Sequence, residues 1–360
     1  SGMTIEQWSK IKSKYQGASI ILGNGASIAF SSGFKYDSLF DEARNNNFID
    51  DNLFGLFQKF ETTNFELVLY RLWQTKEVLR VLEEKTDVID GCYSLCRNSL
   101  IQTVHKAHIA YNNKDDDFIK MLDNASEFLK NFKTVYSLNY DLILYWVIAR
   151  GNNTSEKKGH IFKDCFNEPF EGTDFKLFNF NFNLLRSPHL EQEIAVLVFY
   201  PHGNLTLARL KNEAFHEIDL KICSNDYWHL NAIFNIWNQG KLEPVFISEG
   251  DSVEKKKRIE ESEYLRTIYN KGFREIGSSL VIYGWSISEQ DNHLLERLVE
   301  IQEERTSHNK DIIENIAVSV YLDGNEEAFI DEITNKLAPL NVNIDFYDSQ
   351  NNCWCNGAYD

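Results

Sequence analysis

The stretch SIILGNGASIAFSSGF, Ser19 to Phe34, decides the fold. A run of β-branched and apolar residues runs straight into the small-residue turn Gly23-Asn24-Gly25-Ala26-Ser27, after which the pattern becomes amphipathic. Glycines at 23 and 25 permit positive φ and let a ligand approach the main chain with no Cβ in the way. A helix beginning near Ala26 aims its unpaired N–H groups at the same space, where an anion such as pyrophosphate is favoured. The alternative is a tight strand-to-helix turn that binds nothing. A Rossmann fingerprint places a third glycine where this chain has Ile28, and no GxxxxGK[ST] segment is present, which speaks against nucleoside triphosphate hydrolysis.

Working outward, buried-strand patterns occupy residues 18–22, 133–138, 195–200, 243–247, 279–283, 316–322 and 342–347. Most are continuous rather than alternating, as strands covered on both faces are. Helical patterns separate them at 140–150, 226–238, 254–276, 288–304 and 325–338. The expectation is an α/β, Rossmann-like fold, a mainly parallel sheet of about six or seven strands with helices on both faces. Residues 3–39 and 132–348 make up that unit. Long helical patterns near 51–60, 64–85, 88–111 and 115–131 predict a helical subdomain inserted at 40–131. Residues 151–194 read as a cover loop or a pair of edge strands, and 349–360 as a C-terminal tail.

Ser1-Gly2 ahead of Met3 reads as a tag remnant, and no signal peptide follows. Apolar runs such as 135–149 are interrupted by Asn139 and Asp141 and fall short of the roughly 20 residues a bilayer needs. A cytoplasmic protein without membrane contact is expected. The formal charge of −17 argues against general nucleic-acid binding, which draws on a basic face. Lys255-Lys256-Lys257-Arg258, followed by Glu260, Glu261 and Glu263, reads as a solvated helix face. The six cysteines show no paired CxxC spacing, so structural thiols are expected rather than a zinc site. His105 and His108 share a helix face without an acidic or thiolate partner and read as structural, so no metal is expected.

Three more strand ends carry unusual polar residues: Asn139-Tyr140-Asp141, Pro201-His202-Gly203-Asn204, and Gly284-Trp285-Ser286 with Ser288 and Asp291 beyond. Parallel strands would bring all of them to the edge that holds the glycine turn. Each has a plainer reading. Asn139 could cap the following helix, with Asp141 in its first turn. His202 could be a hydrogen-bonded loop histidine, and Ser288 to Asp291 resembles a capping box.

Taken in order, Gly23-Asn24-Gly25-Ala26-Ser27, Ser137-Leu138-Asn139-Tyr140-Asp141, His202-Gly203 and Gly284-Trp285-Ser286 resemble the GAGxS, TQNxD, HG and GTS segments of the sirtuin family. The chain lacks that family's zinc module, and Gly33 to Asp37 stands where deacetylases have PDFR. TNFELVLYRL (Thr63–Leu72) and GWSISEQDNHLL (Gly284–Leu295) look like the zinc-less bacterial sirtuin-like domains, several of which hydrolyse NAD in anti-phage defence. The resemblance implies that Gly23, Asn24, Gly25, Ala26 and Ser27, with Gly203, Gly284, Trp285, Ser286 and Asp291, bind NAD as substrate. It also implies that Asn139, Asp141 and His202 are catalytic.

Nicotinamide leaves the ribose C1′ as a neutral molecule through an oxocarbenium-like state. An asparagine amide can orient the attacking water, and a neutral histidine can accept a proton, which is worth about 10²–10⁴-fold in rate. The expected activity is NAD+ glycohydrolase. The other readings are an NAD-dependent protein deacylase and a non-catalytic module that senses NAD or ADP-ribose. Because NAD depletion harms a cell, restraint by a homo-oligomer, a regulatory partner protein or a lid is expected.

Overall fold

The computed structural model describes residues 4–30, 38–108, 115–153, 161–188, 195–210, 218–224 and 229–357. The tag remnant, Met3 and Gly33 to Asp37 lie outside these residues. Thirteen strands form among the described residues: β1 (Ile5–Glu6), β2 (Ser19–Leu22), β3 (Thr134–Ser137), β4 (Ile161–Lys163), β5 (Phe166–Pro169), β6 (Lys176–Phe178), β7 (Ala195–Phe199), β8 (Gly203–Leu210), β9 (Ile218–Lys221), β10 (Leu242–Phe246), β11 (Ser279–Tyr283), β12 (Asn315–Val320) and β13 (Asn343–Asp348).

Eight strands make a parallel sheet in the order β1-β13-β12-β11-β2-β3-β7-β4, flanked by helices in a Rossmann-like arrangement. Strands β2, β3 and β7 are buried along their whole length, which is why their sequences show no apolar–polar alternation. The chain grows from β2 outward through β3 to β7, then crosses back to β11 and grows the other way. The order therefore reverses between β2 and β11, and a crevice beyond the strand C-termini opens at such a reversal.

Two expectations need correction. The run 243–247 is a strand, but β10 pairs antiparallel with β8 in a second sheet of order β10-β8-β9-β6-β5. A continuous apolar run looks the same in either kind of sheet, and β8, which starts directly at the His202-Gly203 turn, carries too few turn signals to announce a hairpin. Of the two readings of residues 151–194, strands are what forms: β4 is an edge of the parallel sheet and β5 an edge of the other, with β6 inside it between β5 and β9. The C-terminal segment is not a loose tail: Cys353, Trp354 and Cys355 are buried, and the Trp354 indole N–H donates to the Ala26 carbonyl at 2.8 Å. Burial holds both thiols up, so they are inert packing groups rather than thiolate ligands.

Between β2 and β3 lie helices Leu39–Asn45, Asp51–Lys59, Phe65–Val81, Asp87–His108 and Asp116–Leu129, the expected helical insertion. It is fastened to the sheet domain by buried groups. Arg258 donates to Glu66 at 2.8 Å, and the other Glu66 oxygen accepts the Phe246 amide at 3.2 Å. Lys255 and Arg258 are thus buried, not solvated, because they stand one helical turn apart and face inward while Lys256 and Lys257 do not share that face.

His108, where the Asp87–His108 helix meets Trp146, donates its Nδ1–H to the Val104 carbonyl at 2.9 Å. Burial drives its pKa from 6.5 down to about 4. The unfolded chain therefore takes up this proton first, so the associated stability is full above pH 6.5 and drains as pH falls toward 4. Replacing His108 with Asn removes that loss. Urea unfolding at pH 7 and pH 4 is expected to show wild type losing about 3 kcal/mol more than H108N over this range.

Candidate functional site

A cavity of about 650 Å³ opens at the reversal point between β2 and β11. Gly23, Asn24, Leu138, Asn139, Tyr140, Asp141, His202, Gly284, Trp285, Ser286 and Asp291 line it, so residues from all four strand-end segments meet on one wall. Gly25, Ala26, Ser27 and Gly203 do not line it; they build what lies behind.

The glycines at 23 and 25 have a different reason from the expected one, since neither adopts positive φ. A Cβ on Gly23 would stand 2.5 Å from the Gly284 carbonyl oxygen, and one on Gly25 would stand 2.6 Å from the Gly284 Cα. Gly284 itself has φ +68, and a Cβ there would lie 2.5 Å from the Ala26 nitrogen. The two loops are pressed backbone to backbone, joined by hydrogen bonds from Gly23 N to the Tyr283 carbonyl (2.9 Å) and from Gly25 N to the Gly284 carbonyl (2.8 Å). Those amides are therefore spent on the neighbouring strand end, and the helix that follows runs only from Asn24 to Ile28. Gly25→Ala is expected to lower stability by about 1–3 kcal/mol and to spread the two loops. Gly55→Ala, on a helix with nothing within 4 Å of the new Cβ, is expected to raise it by about 0.5–1 kcal/mol, and urea titration separates the two signs.

Asp141 ties the loop to β3. Its carboxylate accepts the Ser27 hydroxyl at 2.5 Å and the Ile143 amide at 2.9 Å, which starts the helix Ile143–Asn153. Burial pushes its pKa up, against the lowering effect of those two hydrogen bonds. Asp141, not Asn139, supplies the turn at that helix start. Asn139 instead donates its side-chain N–H to the Gly23 carbonyl at 2.8 Å, which leaves the amide oxygen for whatever enters the cavity.

His202 is held where β7 ends and β8 begins, its carbonyl accepting the Ile247 amide at 2.7 Å. Its Nε2 lies 2.9 Å from His293 Nε2, and His293 Nδ1 lies 3.0 Å from the Ser252 hydroxyl. Burial, and next the charge of Lys255, hold the His202 pKa below the usual histidine range, while burial takes His293 to about 4. Both rings are neutral at pH 7. Asp291 does not act as a helix-capping side chain. It accepts Lys255 Nζ at 3.0 Å and the Trp285 indole N–H at 2.9 Å. Burial works to raise the Asp291 pKa, but the charge of Lys255 and the hydrogen bonds from the Trp285 N–H and Lys255 hold it below the carboxylate norm.

His293, Ser252, Lys255 and the wall from Ile247 to Asp251 were not anticipated as site residues. His293 stands inside the Gly284–Leu295 stretch, but its spacing from His202 across 91 positions carries no local signal. Trp354, closing the back of the glycine turn, is equally remote in sequence.

Oxygen and nitrogen groups thus surround a cleft at a strand-order reversal, with a neutral imidazole and an asparagine amide on its wall. None of the curated proteins compared matches the chain. Residues 20–354 match the family model described as Domain of unknown function (DUF4917), from the strand before the glycine turn to the tryptophan behind it. The chain belongs to the DUF4917 family.

Proposed function

We propose that the protein is an NAD+ glycohydrolase, converting NAD+ and water to nicotinamide, ADP-ribose and a proton. The observation that supports this reading is the meeting of Gly23, Asn139, His202 and Gly284 on one cavity at the sheet's reversal point. A cleft of about 650 Å³ in that position suits a dinucleotide. Because Gly23 and Gly25 amides are already engaged, the diphosphate would rest on Asn24 and Ser286 rather than in a full ring of loop N–H groups.

In this reading the Asn139 amide oxygen orients the attacking water, and the neutral His202 accepts the proton released from it or from a ribose hydroxyl. The ionised Asp291 lends negative potential to a cleft in which positive charge develops on the ribose. A role in anti-phage defence through NAD depletion rests on the sirtuin-like segments alone, as do a homo-oligomer and a regulatory partner. The test is chromatographic measurement of nicotinamide and ADP-ribose after incubation with NAD+, with and without an acyl-lysine peptide. Release that requires the peptide would replace this reading with a deacylase. Binding without consumption would replace it with a sensor.

A further inference from the structure

The two imidazoles behind the cavity form a directed chain of hydrogen bonds. The Ser252 oxygen accepts the backbone N–H of His293 at 2.7 Å, and giving its one hydroxyl proton to His293 Nδ1, 3.0 Å away, uses both its donor and an acceptor site. In that arrangement His293 is the Nε2–H tautomer. His202 Nε2 is then a bare lone pair, and it accepts the His293 N–H at 2.9 Å.

His202, His293 and Asp291 also stand close enough to ring a metal ion. Two nitrogens each about 2.0–2.1 Å from a tetrahedral zinc stand farther apart than 2.9 Å, which is the separation of an N–H···N bond. Asp291 is already engaged by Lys255 and Trp285. The proton-linked pair is the better account.

We propose that His293 is a positioning residue that holds the only basic lone pair of His202, and that His202 accepts a proton from substrate only when the His293 hydrogen bond opens. This rests on the glycohydrolase reading of the same site. In the step, the His293 Nε2–H···Nε2 hydrogen bond breaks, the His202 lone pair takes the proton of the attacking water or ribose hydroxyl as a new N–H bond, and that proton passes to solvent after nicotinamide leaves. The restraint that an NAD-consuming chain needs is thus part of the site. Its far end sits on the helix Ser252–Glu260, which the insertion grips through Thr62 and Asn64, each donating to Glu254 at 2.9 Å.

Two measurements test the proposal. Long-range proton–nitrogen NMR on ligand-free wild type, labelled at histidine nitrogen, is expected to show bare His202 Nε2 and His293 Nδ1 with protonated His202 Nδ1 and His293 Nε2. The opposite tautomer at either ring overturns it. In NAD+ hydrolysis, His293→Phe is expected to raise kcat up to about tenfold, the worth of one neutral hydrogen bond. His293→Gln, which can still donate to His202, restores the slow rate. A folded His293→Phe chain no faster than wild type overturns the proposal. Wild type and variants that all leave NAD+ intact overturn the glycohydrolase reading instead, and the tautomer spectrum then decides on the hydrogen-bond direction alone.

Discussion

Asn139→Ala and His202→Ala are each expected to release nicotinamide from NAD+ about 10²–10⁴-fold more slowly than wild type. The two losses have different origins. Removing the Asn139 amide frees the Gly23 carbonyl it binds at 2.8 Å and deletes the oxygen that orients water. Removing the His202 ring deletes the proton acceptor and leaves the His293 N–H without its partner. Stopped chromatographic assays at saturating NAD+ measure the loss in kcat, and thermal melts confirm that the fold persists. Rates equal to wild type in folded variants would take both residues out of the chemistry. Asp141 differs: because it is bound to Ser27 and Ile143, its role in this account is to fix the glycine loop.

The second large effect is on stability. The Arg258 side chain is 7% exposed and that of Glu66 against it 11%, so truncating Arg258 to Ala strands a largely covered carboxylate between the insertion and the sheet domain. Breaking a buried pair by removing one partner costs about 3–5 kcal/mol. Burial already pushes the Glu66 pKa up against the lowering pull of Arg258, and without the guanidinium the carboxyl takes up a proton more readily. Urea unfolding of R258A is expected to show that loss, and the double variant Arg258→Met with Glu66→Leu is expected to recover much of it. A loss below about 1 kcal/mol for R258A would mean that the pair behaves as a solvated one.

These two results depend on features that differ in how far sequence could reveal them. The parallel sheet was legible because β2, β3, β7 and β11 are short runs rich in apolar and β-branched residues, and helical periodicity follows β2, β3 and β11. The polar groups at their ends were legible for the same reason, since parallel strands direct all their C-termini to one edge. What local patterns conceal is which backbone approaches which. Gly23 and Gly25 looked like phosphate-loop glycines, yet their missing side chains make room for Gly284, some 260 positions away by numbering, and that contact exists only once β2 lies beside β11.

The basic run at 255–258 was misread by averaging. Its charges divide between two helix faces, and the inward pair is stabilised by Asp291 and Glu66 from distant elements. His293 escaped notice because a histidine one turn into an amphipathic helix gives no hint of a second imidazole against it. The antiparallel sheet was hidden because β5, β6 and β9 have at most four residues each, too few to establish a period. Trp354 was missed because a chain end is ordinarily the least packed part of a domain. Here its indole fills the space behind the glycine turn, against Phe30 and Tyr283.

The most direct measurement of the central claim is hydrogen–deuterium exchange by mass spectrometry with and without millimolar ADP-ribose, which needs neither turnover nor a trigger. The account predicts slower exchange together in peptides covering residues 23–27, 138–141, 202–204 and 284–291. Protection confined to other segments, or none at any of the four, would contradict it.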